Sequence, residues 1–368
     1  MIGAIAPNMD VPSFEKGFWK EWKDSCKVDI DSMQTDPRIT LEKIVKKVKD
    51  LEYLKNTPVI KAIQKRNKWE ITIEKDGKLV EIKAKALVDA EMDVENAIIA
   101  KAKLVPLYDQ HIKGLVTYSP EFQKEPYTQS SKLYRTSGAA GYGKDSTIVH
   151  FLPLGSFITK EQDNLLVANP MADIKGFSED EFHNIALWTN LGQLIGATAA
   201  YGPFFDTTPA KANVRMIQGE VILYKSFLYP LTDIDSADVA WNSVQRIIST
   251  QLLSFDFVNG KFKPDEQVKA SDIKTILSEI HPRSRIWFIE NPGDDLSIEK
   301  AISLLSFITG REKFDLEREI SSMWKDRYKF SSAYDPQHLL TKKELAVLLD
   351  VHLKPFSIRV NMAGYFII

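Results

Sequence analysis

Two short, largely apolar runs, residues 86–90 and 164–168, constrain the fold of this chain more than any other feature. Runs of this length are typical of strands that are buried on both faces of a parallel sheet. After a loop, residues 179–201 predict a long helix. Parallel strands need such helical connections, so the sequence predicts an α/β domain.

The segments before the first run predict helices and a hairpin. Aromatic residues and Cys26 recur every four positions from Phe14, which predicts a helix over 14–26, and a second helix follows Pro37. Alternating runs at 57–63, 69–73 and 78–82 predict three strands, the last two joined by an Asp76-Gly77 turn. A helix is expected over 93–103. Residues 104–147 read as irregular and substrate-domain-like, with Gly141-Tyr142-Gly143 as a mobile loop.

The predicted helix over 179–201 carries Gly192, Gly196 and Ala200 four residues apart. Each glycine costs a helix about 1 kcal/mol relative to alanine. We therefore expect this stripe to pack closely against a neighbouring strand or helix, with contact to a cofactor as the alternative.

The last third of the chain contains an internal repeat. Residues 262–277 align with 334–349 without a gap, and a weaker middle copy begins at Leu296. Each copy has an apolar residue followed by a helix start, with Ser297 and Thr341 at capping positions. Such helices cannot bury their apolar faces alone. The sequence therefore predicts two domains: an α/β domain over 1–235, and an all-α repeat module with a short C-terminal strand over 236–368.

Composition excludes several classes of function. The 368 residues carry a formal net charge of −2, which provides no electrostatic footprint for nucleic acid or for an anionic membrane, and Cys26 is the single cysteine. Six histidines lack metal-ligand spacing, so no metal is expected. No apolar stretch is long enough for a transmembrane segment, and no intact signal peptide is recognisable. Cellular location stays open, and a homo-oligomer is possible.

Three segments resemble the FAD-dependent oxidoreductases of Bacteroidetes-type bacteria, which have a glutathione-reductase-like flavoprotein fold. Residues 75–90 resemble the family's hairpin insertion and its I-D-A-T-G strand, 163–168 its D-N-L-L-V-A-G strand, and 191–200 its L-G-Q-A-A-G helix. Residues 340–346 are similar to a C-terminal segment of its members. The resemblance implies an FAD/NAD(P)-binding-like parallel sheet with a β-hairpin insertion, FAD as the cofactor and hydride transfer as the chemistry.

The chain departs from this family where the family contacts its flavin. It has no G-x-G-x-x-G loop, so the implied sheet is incomplete. The resemblance places Ala90, Ala168 and Gly192 at flavin-facing positions. Where the family has Ala-Thr-Gly this chain has Ala90-Glu91-Met92, where the family has glycine after Ala168 it has Asn169, and where the family has arginine it has His183. These changes predict a diverged FAD-dependent oxidoreductase-like protein with weakened or lost flavin binding, and no catalytic residue can be assigned.

Two alternatives stay open. The chain could be a non-catalytic binding or structural protein, related to cell-surface glycan. It could also be half of a split flavoenzyme. In the implied fold the missing strand lies beside residues 86–90, so either residues 2–6 fill its place or a partner chain supplies a strand–helix–strand unit.

The repeats themselves resemble the S-layer homology repeat. Phe262-Lys263-Pro264-Asp265 matches its Phe-x-Pro-Asp turn, and Thr341-Lys342-Lys343-Glu344 matches its Thr-Arg-x-Glu helix start with lysine in place of arginine. The resemblance implies binding to cell-wall glycan, and a purely structural helical module is the alternative.

Overall fold

The computed structural model describes residues 16–31, 37–91, 99–101, 104–106, 113–115, 131–142, 149–159, 162–167, 185–257 and 259–368. The described chain has mixed α/β content, as predicted. It divides into two compact units. The first unit comprises Met1–Tyr127, Thr136–Ser146 and His150–Leu228, and the second comprises Thr128–Arg135, Thr147–Val149 and Tyr229–Ile368.

An antiparallel three-stranded sheet opens the strand-rich part of the first unit. Strands β1 (Val59–Lys65), β2 (Lys68–Lys75) and β3 (Lys78–Ala84) lie in that order. Asp76 and Gly77 both have positive φ, 51° and 71°, as a two-residue type I′ hairpin turn requires. The predicted hairpin is therefore confirmed. One face of β2 is buried through Trp69, Ile71 and Ile73.

Both apolar runs form strands, and the two strands pair with each other in parallel. Strand β4 (Leu87–Asp89) aligns residue by residue with β9 (Leu165–Val167). All three side chains of β9 are buried, whereas Val88 in β4 is 38% exposed. The expectation that β4 is buried on both faces is therefore wrong. Residues 2–6, the first candidate for the strand beside β4, lie outside the described residues.

Two further strand pairs occupy the stretch that the sequence marked as irregular. Strands β5 (Leu104–Pro106) and β6 (Lys113–Leu115) are antiparallel, and β7 (Ser137–Tyr142) pairs with β8 (Val149–Pro153). The prediction of a mobile loop at Gly141-Tyr142-Gly143 is wrong for its first two residues, because they end β7. Gly143 lies outside the described residues, as does most of the helix expected over 93–103.

Among the described residues of the first unit there are four α-helices: α1 (Gly17–Asp31), α2 (Pro37–Lys47), α3 (Ile185–Phe204) and α4 (Val214–Leu223). Helix α3 contacts α1, α4, β4 and β7. Close packing occurs at Gly138 in β7, where a Cβ atom would lie 2.3 Å from a methyl carbon of Leu194 on α3. A Cβ at Gly192 or Gly196 would meet no described atom within 4 Å, so the expected tight packing of that stripe is not found against the part of the chain that the structure describes.

The second unit is built from helices: α5 (Trp241–Thr250), α6 (Ala270–Ile280), α7 (Ser284–Glu290), α8 (Ile298–Thr309), α9 (Lys313–Asp326) and α10 (Lys342–Leu348). The expected C-terminal strand is a single antiparallel bridge between Val360 and Phe366. Within the described ranges, no helix combines the length and apolar character needed to cross a membrane.

Candidate functional site

The carboxyl end of β4 holds the first two positions that the flavoprotein resemblance assigns to the cofactor. Ala90 and Glu91 follow the strand directly, and both are exposed. The Glu91 amide donates to Oδ1 of Asp89 at 3.0 Å, and Asp89 is fully buried. A buried carboxylate thus fixes the backbone here, at the residue whose side chain is exposed.

Gly192 lies on α3, the helix that contacts β4, and it is exposed. Because a side chain at this position would meet no described atom within 4 Å, packing against the described residues does not require glycine here. Ala168, Asn169 and His183 lie outside the described residues. The structure therefore describes three of the six assigned positions, two at the end of β4 and one on the adjacent helix.

Asn164 holds the β4–β9 pair in place. Its carbonyl oxygen accepts from the Leu87 amide at 3.0 Å and from Trp69 Nε1 at 3.2 Å. Its side-chain Nδ2 donates to the Lys85 carbonyl at 3.2 Å, and its Oδ1 accepts from Gln64 Nε2 at 2.7 Å. A fully buried amide with every polar atom bonded fixes a unique arrangement. Sequence reasoning missed this role, and the only signal was a polar residue beside an apolar strand.

In the second unit, the three repeat copies meet through short extended segments, here called the straps, at residues 266–270, 294–298 and 338–342. Each strap is centred on an apolar residue that is at most 2% exposed: Val268, Leu296 or Leu340. Each strap leads directly into a helix, α6, α8 or α10. The apolar centres therefore form a shared core from which three helices start.

The straps bond to each other in a closed cycle. The residue after each centre bridges to the residue before the next centre: Lys269 to Asp295, Ser297 to Leu339, and Thr341 to Gln267. The following amides repeat the cycle, from Ala270 to the Asp294 carbonyl, from Ile298 to His338, and from Lys342 to Glu266, at 2.8–3.0 Å. Equivalent bonds that return to the first strap define an approximate three-fold symmetry. The predicted middle copy is therefore confirmed.

A proline four residues before each strap centre belongs to the same pattern. Sequence alignment found Pro264 and Pro336 but missed Pro292 in the middle copy. The carbonyl of Pro264 accepts from the Lys343 amide at 3.0 Å, and that of Pro336 accepts from Glu299 at 2.9 Å. These bonds satisfy amides in the first turns of α10 and α8, which have no partner inside their own helices.

Glu344 is the buried charge at the start of α10. Its carboxylate accepts hydrogen bonds from Ser332 Oγ, from the Thr341 amide at 2.9 Å and from His338 Nε2 at 2.9 Å. Burial raises the pKa of this carboxyl, but these hydrogen bonds outweigh burial and hold the pKa below its ordinary value. The Thr341–Glu344 pair forms the predicted capping box. Ser332 bonds to Glu344 and not to His338, so this group is not arranged as a nucleophilic triad.

The two lysines of the Thr-Lys-Lys-Glu helix start both face acidic groups. Lys342 Nζ lies 2.8 Å from Glu266, and Lys343 Nζ lies 3.5 Å from Asp238. These residues therefore act first as ion-pair partners within the second unit. Among the described residues, no group of three or more histidine, cysteine, aspartate or glutamate side chains could hold a metal ion.

The stability of the second unit should depend on pH through two histidines, His352 and His281. Burial lowers the pKa of both imidazoles, and His352 Nε2 is hydrogen-bonded to the Tyr328 hydroxyl at 2.8 Å. Burial also raises the pKa of Tyr328 to about 12, so the hydroxyl stays protonated. Since unfolded histidines titrate near about 6.5, the unfolded state binds more protons than the folded state below that pH.

We therefore expect the free energy of unfolding to fall as the pH drops from 7.5 to 5.5, by at most about 1.4 kcal/mol per pH unit for each histidine. Urea unfolding followed by tryptophan fluorescence at both pH values measures this. The His352→Gln/His281→Gln variant should lose most of the dependence in this window. Carboxylates with lowered pKa, such as Glu344, change the free energy of unfolding only below about pH 4.5, outside this window. An unchanged pH dependence in the variant would contradict the assignment.

No protein-family model, curated protein or solved structure matches the chain. Functional inference therefore depends on the residues and their geometry.

Proposed function

We propose that this chain is a diverged FAD-dependent oxidoreductase-like protein in which flavin binding is weakened or lost. The observation that carries the proposal is Glu91, an exposed acid directly after β4, within the stretch where the resembling family has the uncharged Ala-Thr-Gly. The parallel β4–β9 pair supports the scaffold, because these are the two strands that the resemblance assigns to one sheet. A carboxylate there repels the anionic pyrophosphate of FAD, and its long side chain adds bulk where the cofactor would approach the strand end.

The proposal predicts a colourless protein. Purified full chain should lack the flavin absorbance near 450 nm, and added FAD should leave its melting temperature unchanged, because only ligands that bind the folded state stabilise it. The control is the same melt with an unrelated flavoprotein stripped of FAD, which should regain stability. A yellow protein, or a rise in melting temperature with FAD, would show that the flavin site is retained.

The closed cycle of straps supports a second candidate, a non-catalytic binding protein. The three copies build one module, as expected if the S-layer homology resemblance extends to function, and the ligand would then be cell-wall glycan. Sedimentation of the full chain with purified cell-wall glycan tests this, with an unrelated insoluble polysaccharide as the control. Equal recovery with both polymers would count against it.

A third proposal is that the chain is half of a split flavoenzyme and binds a partner chain. Its partner would be a chain that carries the G-x-G-x-x-G loop within a strand–helix–strand unit. Co-expression with such a chain should give a yellow complex, and a colourless mixture of two separate proteins would count against it.

A further inference from the structure

Residues 46–53 form an exposed, mixed surface in the first unit. All eight residues are exposed, from the last turn of α2 to the segment before β1. Three of them are large and apolar, with Val48 53%, Leu51 52% and Tyr53 52% exposed. Single exposed apolar residues are ordinary. Three within six positions, interleaved with lysines, form a continuous apolar and basic strip.

The β2–β3 hairpin tip extends this strip. Lys75 Nζ forms an ion pair with Glu52 at 3.2 Å, which brings residues 75–79 beside the strip. Leu79, two residues after the hairpin turn, is 68% exposed. We call residues 46–53 and 75–79 together the lysine-rich surface.

The charge of this region opposes that of the whole chain. The lysine-rich surface holds five lysines and three acidic residues, whereas the chain as a whole has a net charge of −2. Glu52 is already paired with Lys75. Within the part of the chain that the structure describes, no carboxylate pairs with Lys46, Lys47, Lys49 or Lys78. Their positive charge is therefore available to an anionic partner. The net charge of the whole chain does not reveal this local excess of positive charge.

We propose that the lysine-rich surface docks on an anionic lipid bilayer. Charge complementarity selects an anionic partner, and the exposed Val48, Leu51, Tyr53 and Leu79 distinguish a bilayer from a soluble polyanion. Lysines bind the headgroups while apolar side chains enter the interface, and a tyrosine suits the boundary because its ring is apolar and its hydroxyl polar. A nucleic acid or sulfated glycan would use the lysines alone. The chain would thus bind peripherally, without a spanning helix.

The expected effect is large enough to measure. Each lysine near an anionic bilayer contributes about a five-fold gain in affinity, so reversing three of them should reduce binding at least about a hundred-fold. Binding should also weaken as salt rises, because screening shortens the range of the attraction.

The test is co-sedimentation of the full chain with phosphatidylglycerol-containing vesicles, with phosphatidylcholine vesicles alone, and with heparin beads. Four proteins are compared: the unaltered chain, K46E/K47E/K49E, V48S/L51S, and the control K261E/K263E/K329E, which reverses three exposed lysines of the second unit. A neutral variant, K46Q/K47Q/K49Q, replaces the first reversal if thermal melts show that it unfolds the chain.

We expect the unaltered chain and the control to bind anionic vesicles and not neutral ones, and both strip variants to lose binding. Failure of the unaltered chain to bind anionic vesicles overturns the proposal. So does full binding by K46E/K47E/K49E. If V48S/L51S binds vesicles as well as the unaltered chain and heparin captures both equally, the surface is a polyanion site and the lipid proposal is wrong.

Discussion

Gly364→Ala is expected to destabilise the second unit by at least about 4 kcal/mol, enough to prevent folding of a marginally stable domain. A Cβ atom at Gly364 would lie 1.8 Å from the Lys132 carbonyl oxygen and 2.3 Å from its carbon. Both obstacles are backbone atoms, so no side-chain rotation relieves the clash. The φ of +81° adds strain, because left-handed backbone disfavours any residue with a Cβ.

Gly310→Ala is the matched control. Gly310 caps the end of α8 with a φ of +71°, but a Cβ there would meet nothing within 4 Å. Its substitution should therefore cost only the backbone strain, about 1–2 kcal/mol. Denaturant unfolding followed by tryptophan fluorescence separates the two effects. Equal losses in both variants would mean that the approach of Lys132 to Gly364 does not contribute.

We expect Arg135→Met to reduce the free energy of unfolding by about 3 kcal/mol. This loss is near the lower end of the range for breaking a buried ion pair, because Glu279 keeps partial contact with water. The buried guanidinium donates to both Glu279 oxygens, at 3.1 and 2.7 Å, to Gln251 Oε1 at 2.6 Å and to the Gly364 carbonyl at 3.2 Å. It also stacks over the Phe366 ring at 4.0 Å. Arg135 thus ties residues 131–135 to α6 and to the C-terminal bridge.

A double-mutant cycle with Glu279→Gln isolates the ion pair. The hydrogen bond from Arg135 lowers the pKa of the Glu279 carboxyl, so the pair contributes stability above about pH 4.5 that is lost as the pH falls. The coupling energy should therefore shrink on acidification. Arg318→Met, at an exposed pair with Asp315, is the control and should change stability by less than about 0.5 kcal/mol. Comparable effects of the two arginine variants would contradict the assigned role of burial.

Short sequence patterns predicted the turn, strands and helix starts that depend on neighbouring residues. Asp76-Gly77 specified the hairpin, since a type I′ turn needs positive φ at two adjacent residues. Two apolar runs predicted β4 and β9, and the repeat alignment predicted the helix starts of α6, α8 and α10. Each of these features is determined by residues within about ten positions of each other.

Contacts between distant residues were not predictable in the same way. The spacing of Gly192 and Gly196 showed that one face of α3 carries small residues, but not that a Cβ at these two positions would meet no described atom within 4 Å. Arg135 binds Glu279 across 144 positions, and no local pattern marks either residue. Of the assigned flavin-facing positions, Ala90, Glu91 and Gly192 are described, and all three are exposed.

The most direct test of the central claim is the affinity for FAD of the unaltered chain, Glu91→Gly and Glu91→Gln, measured by quenching of flavin fluorescence. If the chain is a flavoprotein scaffold whose site has relaxed, the unaltered chain should bind only weakly. Glu91→Gln, which removes the charge, should bind about ten-fold more tightly, and Glu91→Gly, which also removes the bulk, more tightly still. Tight binding by the unaltered chain, or equal affinity of all three proteins, would contradict the account.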